Sequence, residues 1–207
     1  MIKKFIDKLL GKSTPGTSGG KPHFGKREEV PASVHGINPE LVDRRAADVV
    51  HTLKDAGYEA YIVGGAVRDL LLGLRPKDFD VATNATPEQV KGLFRRAFII
   101  GKRFRIVHVV HGRGREHEVI EVSTFRAYLD NAAAGQVAGN EKTSKAQLSG
   151  MQHAVDASGR VLRDNVWGPQ DEDATRRDFT VNAMYYDPET QVVVDYDQGP
   201  QHAKRQP

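Results

Sequence analysis

The sequence predicts an α/β domain, a mixed sheet with flanking helices, occupying about residues 36–197. Three observations carry this prediction. Val42, Ala46, Val49, Val50 and Leu53 recur at helical spacing. Short runs rich in β-branched residues alternate with helical stretches after them, and glycines stand where the helices should stop.

Asn38 followed by Pro39 is an N-cap and first-turn pair and Gly57 a stop signal, so a helix is expected over about 39–56. A short strand follows at 58–63, then a helix over 66–72 closed by Gly73, and a strand across 78–82. Thr86, Pro87 and Gln89 open another helix in capping-box fashion, running to about Arg95. Strands at 105–111 and 118–125, joined by the turn HGRGRE, complete the mixed sheet. Residues 127–158 are rich in Ala, Gly, Ser, Asn and Gln and read as a long surface loop with the composition of disordered chain. A strand pair and a helix are expected over 161–186 and a last strand over 192–196. No internal repeat is visible.

Ahead of this domain, residues 13–33 are rich in Gly, Ser, Thr and Pro and read as a flexible linker. Ile2, Phe5, Ile6, Leu9 and Leu10 fall on one helical face, with Lys3, Lys4, Lys8 and Lys12 mostly on others. Such a basic amphipathic helix suits a membrane surface or a partner protein, and a frayed tail is the alternative. The chain therefore divides into an N-terminal segment and linker (1–35), the α/β domain (36–197) and a polar tail (198–207).

With 207 residues, 39% of them hydrophobic and 28% charged, the chain has the composition of a soluble globular domain, and no apolar run approaches the ~18 residues of a membrane span. It contains no cysteine, which excludes disulfides and thiolate metal sites and fits the cytoplasm. The N-terminus lacks the apolar region of a secretory signal. Net charge is +3, with the first 30 residues at +4 and the remainder near −1, so bulk charge does not indicate nucleic-acid binding.

The chemistry concentrates in Gly64 to Asp80, GGAVRDLLLGLRPKDFD. Side chains alternate along a strand, so Asp78 and Asp80 project together while Phe79 enters the core. Neighbouring carboxylates repel unless a cation lies between them, and magnesium accepts one or two carboxylates together with substrate phosphates. A lone D-x-D is more often a solvated strand edge. Here Gly64 and Gly65 form a bare turn between a strand and a helix, where backbone N–H groups can receive an anion. Arg68, in that helix's first turn, can reach the same phosphates, and Asp69 pairs locally. A phosphate cradle followed by a metal-binding acidic pair is what nucleotidyl transfer requires. GKST at 11–14 mimics a P-loop ending, but Ile6 stands where the earlier glycine belongs. His108, His111 and His117 lack zinc-site spacing and read as satisfied or surface residues.

The stretch YIVGGAVRDLLLGLRPKDFDVATNATPEQV resembles the catalytic head of bacterial poly(A) polymerases and CCA-adding enzymes, the class II template-independent nucleotidyltransferases. GKRFRIVHVV, EVIEVSTFR, DNVWG and DEDATRRDFTVNAMYYD match later motifs of that head in the same order, over about residues 35–196, and the wording is nearer to the poly(A) polymerases. The resemblance implies a polymerase β-like nucleotidyltransferase fold, with Asp78 and Asp80 as ligands of two Mg²⁺ ions, for which Mn²⁺ can substitute. It maps the third carboxylate to Glu121, although spacing alone allows Glu118 equally. Gly64, Gly65 and Arg68 correspond to the triphosphate turn. Arg177, Asp178 and Asn182 match residues that meet the incoming ribose and phosphates, with Asp178 and Asn182 four apart on an expected helix and helix capping as their bland reading.

The implied reaction is attack of an RNA 3′-hydroxyl on the α-phosphate of ATP, giving AMP addition and pyrophosphate. RNA contacts are expected from the basic segment around Arg103 and Arg105, interleaved with Phe94, Phe98 and Phe104, and from Arg126 at the rim of the site. The family's head is followed by a hinge, a base-selecting helix and RNA-holding helical domains, whereas this sequence ends DYDQGPQHAKRQP. The expectation is a truncated or altered chain with impaired selectivity and some exposed apolar surface. CCA addition to tRNA and a noncatalytic nucleotide- or RNA-binding fragment are the alternatives.

Overall fold

The computed structural model describes residues 25–102, 104–114, 117–127, 135–136, 153–155, 161–164, 166–177 and 183–197. Its centre is an eight-stranded mixed sheet. The strands are β1 (Lys26–Val30), β2 (Ala60–Val63), β3 (Asp80–Thr83), β4 (Ala97–Ile100), β5 (Ile106–His111), β6 (Glu118–Thr124), β10 (Tyr185–Asp187) and β11 (Val192–Asp197). Across the sheet they run β1-β11-β10-β2-β3-β6-β5-β4. Every neighbouring pair is antiparallel except β3 and β6, which are parallel. A separate three-stranded sheet holds β7 (Gly135–Gln136), β8 (His153–Val155) and β9 (Val161–Asp164).

Helices α1 (Ala32–His35), α2 (Arg44–Asp55), α3 (Gly65–Leu71), α4 (Pro87–Leu93) and α5 (Gln170–Thr175) surround the large sheet. Ala46, Val49, Val50 and Leu53 of α2, Val67 and Leu70 of α3 and Val90 of α4 share one core with Ile62, Phe79, Val81, Val107, Val109, Ile120 and Val122 of the strand segments. On the opposite face, Ala174 of α5 joins Val63, Ala82, Phe125, Tyr185, Val194 and Tyr196. The two clusters follow from strand alternation, since Val81 and Ala82 are both fully buried and belong to different faces. Among the described residues no helix is long and apolar enough to cross a membrane.

Four expectations need correction. The 39–56 helix is two elements: a 3₁₀ turn at Pro39–Leu41, capped by Asn38, and α2, capped by Asp43, whose Oδ1 accepts from the Arg45 N–H at 2.8 Å. A second capping side chain inside the apolar period restarts the helix. From residue 25 on, the expected linker and the domain boundary at 36 give way to β1 and α1, which belong to the folded unit, while residues 13–24 lie outside the described residues. Residues 26–30, KREEV, show no apolar alternation, and they form a charged edge strand through backbone pairing with β11. β4 was not anticipated, because AFII is too short for periodicity to identify. The loop over 127–158 contains β7 and β8, short pairings that composition does not announce. The N-terminal amphipathic helix lies outside the described residues, as does the tail over 198–207.

Candidate active site

Parallel pairing of β3 with β6 sets Asp80 directly beside Glu121. The same cross-strand row continues through His108 of β5 to Phe98 of β4, and on the other side to Val63 of β2. Phe79 is buried while Asp78 and Asp80 are exposed, so the expected alternation holds, although the regular strand starts only at Asp80. Glu118 stands apart from this row: it is opposite His111, with the Arg45 guanidinium 3.6 Å away. The expectation that spacing leaves the two glutamates equivalent is corrected: three apart on β6, they face opposite sides of the sheet, and only Glu121 adjoins Asp80.

The electrostatics are strained. Asp80 meets solvent at its outer edge, yet burial among protein atoms pushes its carboxyl above the ordinary carboxylate range. The charge of Glu121 adds to this rise, Arg177 opposes it, and Asp78 contributes further. The His108 Nε2 is 3.2 Å from Glu121 Oε1, so this histidine, read from sequence as a bystander, touches the acidic row. His117 holds the Gly114 carbonyl through Nδ1, while the His111 Nε2 is buried without a partner.

The glycine bend lies against the acids. Gly64 caps α3 at φ 73°, ψ −142°, a conformation open essentially to glycine, and a Cβ there would stand 3.7 Å from Asp80 Oδ2. Beside it, a Cβ on Gly65 would be 3.5 Å from Arg68 Nη2, so the arginine folds back over the turn. Arg68 also makes the local pair expected for Asp69, at 2.7 Å.

Arg177 is held from behind by an unforeseen residue. Asp173 of α5 is 2% exposed, and its Oδ2 accepts from Arg177 Nε at 3.0 Å, Arg177 Nη2 at 2.9 Å and the Tyr185 hydroxyl at 2.9 Å. Its Oδ1 accepts from the backbone N–H of Arg126 at 3.0 Å and from Arg176 Nε at 3.4 Å. Burial alone would raise this carboxyl, but the charges of Arg177 and Arg176 hold it below the ordinary range. The Arg177 guanidinium also lies over the Tyr185 ring, 5.4 Å from its centroid. The signal was available: Asp173 is three and four residues before the two arginines, the spacing of neighbours on a helix.

Arg126 follows β6 and places its guanidinium over the Phe104 ring at 5.2 Å. Arg105 forms an ion pair with Glu88 of α4, on the helix-covered side, and is not gathered with Asp80 and Glu121. Arg103, Asp178 and Asn182 lie outside the described residues.

Among the described residues no three His, Asp or Glu side chains close into a ready-made metal cage. The donors instead form an open acidic edge. That chemistry fits Mg²⁺, a hard cation that keeps waters and takes phosphate oxygens beside one or two carboxylates. The excess negative charge felt by Asp80 is what a divalent cation would relieve.

Carboxylates kept side by side at electrostatic cost, against a bare glycine bend with a buttressed arginine nearby, make up the equipment of a nucleotidyltransferase. The chain belongs to the poly A polymerase head domain family, whose model matches residues 60–206. It is 46% identical over 171 residues to the poly(A) polymerase I of Haemophilus influenzae, covering 82% of this chain and 34% of that one. To the CCA-adding enzyme of Bacillus pumilus it is 38% identical over 135 residues, covering 63% and 33%. Among solved structures, an apo form of a CCA-adding enzyme superposes with a TM-score of 0.54 at 20% identity over 85% of this chain and 37% of that one, a likeness of fold. The chain spans about a third of the length of these curated relatives. Nucleotidyltransferases of this family typically use divalent metal ions.

Proposed function

We propose that this chain is the catalytic head of an enzyme adding AMP from ATP to RNA 3′ ends, with Asp78, Asp80 and Glu121 holding a pair of Mg²⁺ ions, or Mn²⁺ in their place. The observation that carries the reading is the register of Asp80 against Glu121 beside the Gly64 bend. When bound, the metal would supply charge neutralisation at the α-phosphate and a lowered pKa for the attacking hydroxyl. The chain's own work is positioning. Gly64 and Gly65 admit phosphates close to the backbone, Arg68 and Arg177 offset triphosphate charge, and Asp178 and Asn182 meet the ribose. Arg126 and Arg103 would guide the RNA end. Arg105, being paired with Glu88, is better suited to holding α4.

CCA addition to tRNA is a second reading, favoured by the match to CCA-adding enzymes. Incubation with Mg²⁺, an RNA primer and labelled ATP or CTP separates them. Extension with ATP by the wild type and none by Asp80→Ala is the expected result. CTP incorporation on tRNA lacking its end would transfer the assignment to the second reading. Mg²⁺-dependent ATP binding with no extension by either chain would leave a nucleotide-binding head.

A further inference from the structure

We propose that Asp173 is a positioning residue for the nucleotide: its buried carboxylate anchors Arg177 and the backbone of Arg126, fixing the two arginines on the acidic side of the site. The inference rests on the nucleotide-binding reading above. Five donor groups converge on this carboxylate. They come from the exit of β6 (the Arg126 N–H), from the end of α5 (Arg176, and Arg177 by two nitrogens) and from β10 (the Tyr185 hydroxyl). A lone arginine keeps many rotamers, and each must be given up on binding a phosphate. Here Nε and one terminal nitrogen of Arg177 are tied to a carboxylate with 3% of its side chain accessible, and the guanidinium rests on an aromatic ring. The cation is therefore placed before the substrate arrives. Tyr185, on whose ring it rests, stands opposite Val63, and Val63 stands opposite Asp80, so the anchored cation lies over the same cross-strand row as the acidic pair.

The test compares wild type, Asp173→Asn, Arg177→Met and the double variant by calorimetric titration with ATP in Mg²⁺, below the melting temperature of each. Mn²⁺ binding, measured separately by electron paramagnetic resonance, reports the acidic pair. Asp173→Asn should weaken ATP by about tenfold with Mn²⁺ affinity unchanged, and the double variant should bind no worse than Arg177→Met alone. ATP affinity equal to wild type in Asp173→Asn overturns the proposal, as does parallel loss of ATP and Mn²⁺, which marks collapse of the whole site. A wild type that binds Mn²⁺ but no ATP overturns the nucleotide reading itself, and this proposal with it. Should Asp173→Asn not fold, Asp173→Glu keeps the charge but displaces it by a methylene: ATP weakened several-fold supports the proposal, and unchanged ATP affinity refutes it.

Discussion

Asp80 and Asp173 illustrate opposite uses of a carboxylate within one site. The folded-state pKa of Asp80 is raised, so its ionised form opposes folding. That penalty is absent below the unfolded value of about 3.9, grows as pH rises toward the folded value, and is fully present above it. Asp80→Asn is therefore expected to melt higher than wild type at pH 7, with the gain vanishing at acid pH, while RNA extension is lost. Thermal melts across pH check the first part. Asp173 has the opposite sign. Its folded pKa is depressed, so its stabilisation is present above the unfolded value and disappears as pH falls through the folded one. Asp173→Ala should cost about 3–5 kcal/mol at neutral pH by removing the buried carboxylate paired with Arg177, a deficit visible in urea titration that narrows below the carboxylate range. Between the two glutamates, Glu121→Gln should abolish extension and Glu118→Gln should leave it within about threefold, because only the former adjoins Asp80.

At the scale of elements, turns and caps set where functional groups stand. Gly64→Ala meets only ordinary van der Waals contact at Asp80, so its cost comes from φ 73°, ψ −142°, about 1–3 kcal/mol, measurable as a lowered urea midpoint. Gly168→Ala acts by another route. A Cβ there would stand 2.6 Å from the Ala127 Cα, forcing apart the pairing of Arg126 with Trp167 that precedes α5. Its expected signature is weaker ATP binding together with a lowered melting temperature. Most helices and strands were legible because their apolar periods and glycine stops are local: the capping box of Thr86 and Gln89 and the reversal at Gly57 stand where the residues announce them. The break at Asp43 and the edge strand β1 were not legible. Asp43 offers its carboxylate to a backbone N–H inside a continuous apolar period, and β1 forms from charged residues by pairing with a strand more than 160 residues away.

For the molecule as a whole, the sheet order brings distant motifs together. The segment at 60–83 contributes the bend and two acids, Asp78 and Asp80, residues 106–124 contribute Glu121 and His108, and 170–177 contribute the anchored arginine. Phe98 and Ile100 are exposed on β4, which the acidic row reaches at Phe98, and Phe104 is exposed nearby in the chain.

The residues alone determined the class of fold, the acidic pair with its glycine bend and the kinship with template-independent nucleotidyltransferases, because these rest on short spacings and residue chemistry. Tertiary structure decided which glutamate adjoins Asp80, that His108 touches it, and that Asp173 holds Arg177. Those contacts depend on strand direction, register and burial, which arise only when separate parts of the chain pack against one another.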